Sequence, residues 1–212
     1  MDENRRVRNR LLSEKVIKAL EQRQISAYYA EDKEEALKKA LELIPEGASI
    51  GWGGSMSVNE IGLKDAVIDG NYNVLNREAA KTPEERREIE LKTFGCDYFL
   101  TSSNAVTEDG VLVNLDGNAN RVACITYGPS HVLMIVGMNK IVKDVDAAVS
   151  RVRNEAAPIN AQRFPLKTPC HVTGACGNCK MPDTICCQML ITRYEKHPGR
   201  LHIILVNDDL GF

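Results

Sequence analysis

Short runs rich in β-branched and aromatic residues alternate with helical stretches along most of this chain, and that alternation constrains its fold more than any other feature. The pattern predicts parallel strands joined by right-handed crossovers. The predicted strands are 25–29, 48–52, 72–75, 98–101, 132–136 and 201–206, and the predicted helices are 3–24, 33–44, 58–69, 82–94, 144–154 and 184–196. The fold class is therefore α/β, with an open and mostly parallel sheet.

One segment departs from the alternation. The run TEDGVLVNLDGNANRVACITYG, which follows Val106, has a hairpin-type turn at Asp109-Gly110 and a second turn around Asp116-Gly117-Asn118. It predicts a β-hairpin insertion, with Cys124 in one of its strands. Residues 158–169 predict an irregular linker.

The chain has 212 residues, a length that suits one α/β core, with or without a small appendage. The 27 Lys and Arg residues nearly balance the 29 Asp and Glu residues, so no overall field directs the chain toward nucleic acid or membranes. We expect small molecules or proteins as partners. No apolar run has the length of a membrane span, and the first residues lack the pattern of a signal peptide, so we expect a cytoplasmic location.

Five of the seven cysteines stand close together, in the run CHVTGACGNCKMPDTICC. In a reducing compartment, such cysteines are more often metal ligands or catalysts than disulfides. Thiolates are soft ligands that suit zinc and iron–sulfur clusters. The spacing favours an iron–sulfur cluster of the 4Fe-4S type, with the following ligands: Cys170, Cys176, Cys179 and Cys186.

Two alternatives to a cluster stay open. Structural zinc sites usually pair two Cys-x-x-Cys units, and only Cys176 and Cys179 have that spacing here. Plain or redox-active thiols are the other alternative. The expected helix 184–196 would place Cys186 in its first turn, where the helix dipole favours a thiolate. Adjacent helical residues point about 100° apart, so we expect Cys187 to face elsewhere.

A Gly-rich turn, GWGGS, lies between a predicted strand and a predicted helix. Glycines allow a sharp turn that presents backbone N–H groups, and this favours an anion site formed by Gly51, Gly53, Gly54 and Ser55. Ser57 and Glu60 fit a capping box, which places the helix start close to Ser57. The motif is neither a dinucleotide fingerprint nor a Walker loop, and a tight turn can require glycine for steric reasons alone.

Polar residues follow other predicted strands and turns. Asn120 and Arg121 follow the second turn of the insertion, and Lys140 follows the strand 132–136. Ligands bind at the carboxyl ends of strands in open α/β sheets, so we expect these residues and the Gly-rich turn, with Glu60, to form a crevice for a small carboxylate or phosphate-bearing ligand. Arginine suits such an anion because its planar fork can bind two oxygens.

Several motifs together resemble the LUD domain family of lactate utilisation proteins. They are GWGGSMSVNEIGL, SSNAVTEDGVLVNLDGNANRV, YGPSHVLMIVGMNKIV, DVDAAVSRVRNEAAPINA, TPCHVTGACGNCKMPDTICC and ILVNDDLGF, in that order. The resemblance covers the chain from about Arg5 to Phe212, and it is closest to stand-alone members with a cysteine-rich carboxyl-terminal motif. We expect two parts in the chain: an N-terminal helix, 1–24, which the spacing of its apolar residues predicts, and a LUD-like domain, 25–212, that includes the cysteine-rich segment 168–190. The family pattern usually reads Gly-Asn-Arg where this chain has Ala119 before Asn120.

The resemblance implies a fold similar to the sugar-phosphate isomerase and CoA-transferase superfamily, and a role in the oxidation of lactate to pyruvate. We expect electron transfer or redox sensing, with redox protein partners and a homo-oligomer as possibilities to test. The sequence has no flavin or nicotinamide fingerprint to accept a hydride, so we assign no catalytic residue. A non-redox isomerase or transferase acting on phosphorylated or CoA-type substrates is the alternative, with Glu60, Asp116 or Lys140 in acid, base or nucleophile roles. A ligand-binding protein with structural zinc is another.

Overall fold

The computed structural model describes residues 2–212, and Met1, the first residue of the expected segment 1–24, lies outside the described residues. The helices are α1 (Glu3–Glu21), α2 (Lys33–Leu43), α3 (Met56–Glu60), α4 (Leu63–Asp69), α5 (Pro83–Thr93), α6 (Asn120–Thr126), α7 (Val145–Arg151), α8 (Ala157–Ala161) and α9 (Pro169–Thr173), with a 3₁₀ turn at Met138–Lys140 and a π-helical turn at Val152–Ala156. The strands are β1 (Ser26–Ala30), β2 (Ser49–Trp52), β3 (Asn73–Val74), β4 (Tyr98–Thr101), β5 (Ala105–Thr107), β6 (Leu112–Asp116), β7 (His131–Gly137), β8 (Ile141–Val142), β9 (Gln188–Thr192) and β10 (Leu201–Val206).

Six strands form an open sheet in the order β1-β10-β7-β4-β2-β3, and all of its pairings are parallel. This confirms the α/β class predicted from the alternation. A second sheet has the order β8-β5-β6-β9. Within it, β5 and β6 pair antiparallel across the Asp109-Gly110 turn, as the hairpin signal predicts.

Both faces of the six-stranded sheet are covered, which explains why its central strands are nearly continuous apolar runs. On β7, Leu133, Met134 and Ile135 are all fully buried although successive side chains point to opposite faces. Leu133 and Ile135 belong to a core cluster with α2, α3 and α4, whereas Met134 belongs to a cluster with α1, α6 and the second sheet.

Within residues 2–212, no helix is both long enough and apolar enough to cross a membrane.

The expected helix 184–196 is wrong, because this segment contains strand β9. The strand pairs antiparallel with β6 from Gln188↔Asp116 to Thr192↔Leu112, and these long-range bonds outweigh the local helical pattern. The backbone N–H of Cys187 extends the pairing by donating to Asp116 O at 2.9 Å. Cys186 therefore does not lie in the first turn of a helix, and the helical argument for setting Cys187 aside does not hold.

Two other segments are more helical than expected. Helix α6 replaces the expected second part of the β insertion, so Cys124 is buried in a helix and not in a strand. Helix α7 continues through the π-helical turn into α8, so the linker begins later than expected. Pro158 lies in α8, where its missing N–H and its ring disturb the normal helical bonding, and a wider turn relieves that conflict.

Candidate functional site

The carboxyl ends of three neighbouring strands meet at one cleft. Strand β4 lies between β2 and β7, and the cleft is lined by Gly54 and Ser55 after β2, Ser102 after β4 and Lys140 after β7. The chain leaves β2 toward β3 on one side and returns to β4 on the other side. The boundary between β2 and β4 is therefore a topological switch point, the place where open α/β sheets bind ligands.

The cleft has a volume of about 570 Å³, and basic residues outnumber acidic ones in its lining. Its charged residues are Arg77, Arg86, Arg121, Lys140 and Arg163 against Glu78, Glu90 and Asp116. Arg77 and Arg86 share the Glu90 carboxylate, at 3.3 and 3.5 Å. Arg163 has no carboxylate partner among residues 2–212, and its Nη1 donates to Asn160 Oδ1 at 3.2 Å. The excess of positive charge in a concave site attracts small anions.

Two glycines of the Gly-rich turn serve close packing. Neither Gly51 nor Gly53 lines the cleft. A Cβ on Gly51 would lie 2.4 Å from Thr93 Cγ2, and a Cβ on Gly53 would lie 3.0 Å from Arg121 Cγ. At these two positions the steric reason for glycine accounts for the motif.

The other end of the turn faces the cleft. A Cβ on Gly54 would lie 3.6 Å from Arg77 Nη2, so this open position lies next to a guanidinium. Ser55 caps α3, because its Oγ accepts a hydrogen bond from the backbone N–H of Val58 at 3.3 Å. The expected helix start at Ser57 is wrong by two residues, and Ser57 is fully buried inside α3. The expected helix 58–69 is in fact two helices, α3 and α4.

Arg121 lines the cleft, but its guanidinium is bound to the protein. Its Nη1 donates to Ser102 O (3.2 Å) and Asn114 Oδ1 (2.7 Å), and its Nη2 donates to Asn104 Oδ1 (2.9 Å) and Leu115 O (2.8 Å). Burial lowers the pKa of Arg121, and Asp116 acts in the opposite direction. Since all four terminal N–H groups have acceptors, the two-oxygen grip that we expected from this arginine is not free.

Lys140 is a buried amine at the floor of the cleft. Its Nζ donates to Ser57 Oγ at 2.9 Å and to Ser102 Oγ at 3.0 Å. Burial lowers the pKa of Lys140 to about 7, and the positive charges of Arg151 and Arg121 act in the same direction. Both protonation states of the amine are therefore accessible near neutral pH.

The two remaining predicted site residues differ in their positions. Asn120 lines the cleft as the first residue of α6. Glu60 does not line it, and its Oε2 accepts a hydrogen bond from the backbone N–H of Gly211 at 2.9 Å. Glu60 acts on Lys140 only through its charge, which raises the pKa of that amine and so opposes the effect of burial.

The cysteine-rich segment surrounds a second, smaller cavity of about 170 Å³. All five of its cysteines line this cavity, namely Cys170, Cys176, Cys179, Cys186 and Cys187. Burial raises the pKa of the Cys186 thiol to about 11, and electrostatic interaction with the other four cysteines acts in the same direction. The fold therefore brings together all four predicted ligands and also Cys187.

Comparison with known proteins shows the family to which the chain belongs. A family model described as the LUD domain matches residues 13–206. The chain belongs to the LUD domain family. It is also similar in fold to the 1.70 Å crystal structure of a DUF162 family protein from Deinococcus radiodurans, with 15% identity, a TM-score of 0.55, and coverage of 93% of this chain and 98% of that chain. A comparison with the curated proteins gives no match.

This LUD domain has an alanine, Ala119, at a backbone position where glycine has a conformational advantage. Ala119 has φ +63°, in the left-handed region that favours glycine. It precedes α6, whose first turn is held by the carboxylate of Asp116, since Oδ2 accepts from the backbone N–H groups of Arg121 (3.0 Å) and Val122 (3.2 Å). The backbone thus keeps the turn despite the alanine.

The two cavities of the LUD domain adjoin each other. Leu115 and Thr184 line both the cleft and the cysteine cavity. Thr184 also contacts the cysteine-rich segment, because its Oγ1 accepts from the backbone N–H of Cys186 at 3.3 Å and lies 3.7 Å from Cys179 Sγ. Leu115 and Thr184 therefore form a wall that the two cavities share.

The thiols differ from a single-ion site in their arrangement. Within residues 2–212, no group of three or more His, Cys, Asp or Glu side chains is arranged to hold a metal ion. Zinc needs four ligands that converge on one point at about 2.0–2.3 Å. A 4Fe-4S cluster is held by four thiolates on separate irons, so its sulfurs surround a volume. The cysteines around the cavity of about 170 Å³ supply the four thiol groups that such a cluster requires.

Sequence reasoning missed several residues of the cleft. Arg77 follows β3 and Ser102 follows β4, so the rule that selected Lys140, at the carboxyl end of a strand, could have selected both. Arg77 also has a buried Nε without a hydrogen-bond partner among residues 2–212. Arg163 gave no such signal, because it lies in the segment expected to be an irregular linker.

Proposed function

We propose that this LUD domain protein takes part in lactate utilisation as an iron–sulfur protein that binds a small carboxylate or phosphate-bearing anion beside its cluster. One observation carries the proposal: the thiol-lined cavity and the basic cleft share the walls formed by Leu115 and Thr184. Adjacent sites of this kind allow a bound ligand to affect, or be affected by, the redox state of a neighbouring group.

The ligands for the cluster are taken to be Cys170, Cys176, Cys179 and Cys186. Such a cluster would supply one-electron transfer. Thr168 and Thr184 place hydroxyl groups near two of the thiols, at 3.4 Å from Cys170 Sγ and 3.7 Å from Cys179 Sγ. Polar groups near cluster sulfurs adjust reduction potentials, so these threonines would belong to the site.

The anion is taken to lie among the basic residues of the cleft. Arg163 and Arg77 are better placed than Arg121 to bind it, because Arg121 has no terminal N–H group left to donate. Lactate and pyruvate are small carboxylates, and a guanidinium binds a carboxylate through two parallel hydrogen bonds. Oxidation of lactate removes two electrons, so a one-electron carrier would work with a redox protein partner.

The deciding experiment is anaerobic purification followed by an absorbance spectrum and assays of iron and sulfide. We expect brown protein with about four irons and four sulfides per chain, since four thiolates suit a 4Fe-4S cluster. Cys96→Ser is the control for serine replacements of the four ligands. It should keep its iron, because Cys96 is a core thiol outside the cavity. Colourless protein with one zinc per chain would contradict the proposal and favour a structural zinc site.

A further inference from the structure

We infer that Ser102 and Lys140 form a nucleophile and base pair for acyl transfer at the floor of the cleft. Ser102 directly follows β4, and Lys140 ends the 3₁₀ turn after the neighbouring strand β7. Both line the cleft, and Lys140 Nζ lies 3.0 Å from Ser102 Oγ. The pairing of adjacent parallel strands thus brings a hydroxyl and an amine together where a ligand would bind.

The surroundings of the amine favour its neutral form. Lys140 is 2% exposed, and among residues 2–212 it has no carboxylate within ion-pair distance. The charges that act on it are those of Arg151 on α7, Arg121 on α6 and Glu60 on α3, of which two are positive. A buried ammonium with this balance is costly, and its pKa of about 7 agrees with the geometry.

Ser57 holds the amine in position. This serine is fully buried on α3, its Oγ accepts from Lys140 at 2.9 Å, and the same hydroxyl donates to Leu210 O at 3.3 Å. Gly211 packs against both partners, since a Cβ there would lie 2.9 Å from Ser57 Oγ and 3.3 Å from Lys140 Nζ. A nucleophile within hydrogen-bond reach of a base that a third group orients is the arrangement common to serine acyltransferases and hydrolases, including those with a Ser-Lys pair. Ser57 is therefore a positioning residue.

The chemical step needs no group beyond the chain and water. The Oγ of Ser102 bonds to the carbonyl carbon of an ester or thioester, and its proton passes to the neutral Nζ of Lys140. The bond to the leaving alcohol or thiol breaks, and Nζ returns the proton to that leaving group. Water then cleaves the acyl-serine by the same proton route, which releases the acid and restores the free hydroxyl.

The lining of the cleft indicates the class of substrate. Arg77, Arg86 and Arg163 lie around the same cavity as Ser102. They would bind an anionic group on the acyl part or on the leaving part of the substrate. The inferred substrate is accordingly a small ester or thioester that carries a carboxylate or phosphate.

An alkyl fluorophosphonate, which labels activated serine hydroxyls, tests this pair on the purified full-length chain. We expect a single adduct, located on Ser102 by peptide mass spectrometry. Ser102→Ala should abolish it, and Lys140→Met should slow labelling at least about 100-fold, the usual contribution of a general base. Lys140→Arg, which keeps the charge but cannot accept a proton, should be equally slow.

The controls separate chemistry from folding. Ser103→Ala removes the adjacent hydroxyl, which donates to Ala105 O, and Lys143→Met removes an exposed lysine, so both should label at the wild-type rate. Ser57→Ala should shift the pH midpoint of the labelling rate, and Ser57→Thr should restore it. Thermal unfolding of each variant identifies any that fail to fold. Absence of labelling in the wild type, an adduct on another residue, or unchanged labelling in folded Lys140→Met and Lys140→Arg would each overturn the inference.

Discussion

The carboxylate of Asp116 accepts a 3.0 Å hydrogen bond from the backbone N–H of Arg121, and this contact fixes the start of α6 at the edge of the cleft. The same arginine then extends its side chain under the cleft to four acceptors in the loops that follow β4 and in β6. Arg121 therefore connects the start of α6 with the loop after β4 and with β6, and so stabilises the wall of the cleft.

Replacement of Arg121 by methionine should destabilise the fold by at least about 3 kcal/mol, because each buried acceptor left without a partner costs about 1–3 kcal/mol. Among those acceptors, Asn114 is fully buried. Urea unfolding measures the change. Arg86→Met is the control, since Arg86 lines the same cleft but is 54% exposed and should change the free energy of unfolding by less than about 0.5 kcal/mol. Equal effects of the two changes would show that the bonds of Arg121 contribute little.

Ala119→Gly should stabilise the protein by about 1 kcal/mol, because Ala119 has a left-handed backbone that costs a residue with a Cβ about 1–2 kcal/mol. The larger backbone entropy of glycine in the unfolded chain offsets part of that gain. Ala123→Gly is the matched control. It lies exposed within α6, where glycine should instead destabilise by about 1 kcal/mol. Thermal unfolding should give shifts of opposite sign, and a loss of stability in both variants would refute the backbone argument.

Cys186→Ser should lose the iron found in anaerobically purified protein, whereas Cys187→Ser should keep it. The Cys187 backbone N–H is bonded to Asp116 O at the start of β9, and its Sγ lies 3.7 Å from Thr184 O, a backbone acceptor outside the thiol set. Iron and sulfide assays with the absorbance spectrum measure both variants. Since Cys187 also lines the cavity, loss of iron from Cys187→Ser alone would reassign the fourth ligand to it.

Arg163→Met should weaken the binding of lactate or pyruvate by about 10- to 100-fold, the effect of losing a hydrogen bond from a charged group. Arg163 lines the cleft, and its guanidinium lies 5.6 Å from the Phe164 ring, which helps to hold it there. Isothermal titration calorimetry measures the affinities. Lys39→Met is the control, because Lys39 pairs with Glu42 away from the cleft. If Arg163→Met binds both acids with wild-type affinity, Arg163 is not an anion ligand.

The parts of the fold that depend on local pattern were predictable. The mostly apolar runs 98–101 and 201–206 became β4 and β10 with those bounds, because a strand covered on both faces needs apolar side chains at nearly all of its positions. The segment 188–192 was not predictable in this way. Its conformation depends on the free edge of β6, far away in the chain, and its local pattern favours a helix.

The same distinction applies to the site. The grouping of the cysteines and the position of Lys140 after a strand could be read from spacing and strand ends. The sequence could not show that the guanidinium of Arg121 is fully hydrogen-bonded to the protein. The type of residue does not reveal how many acceptors the surrounding loops supply. The contact between Lys140 and Ser57 is equally hidden, since 83 positions separate the two residues.

The stability of the protein should rise with pH between about 7 and 10.5 in a way that depends on Lys140. Its pKa is about 7 in the folded protein, chiefly because of burial, and 10.5 is its ordinary value. Between these values the unfolded chain binds a proton that the folded chain does not, so the free energy of unfolding increases with pH, by up to about 1.4 kcal/mol per pH unit. Below pH 7 both states are protonated and the contribution is constant.

Urea unfolding of the wild type and of Lys140→Met across this range measures the difference, and Lys143→Met controls for the loss of an exposed lysine. The wild-type and Lys143→Met curves should run parallel, while Lys140→Met should lack the additional slope. Parallel curves for all three proteins would mean that Lys140 remains charged in the fold, which would also remove its capacity to act as a base toward Ser102.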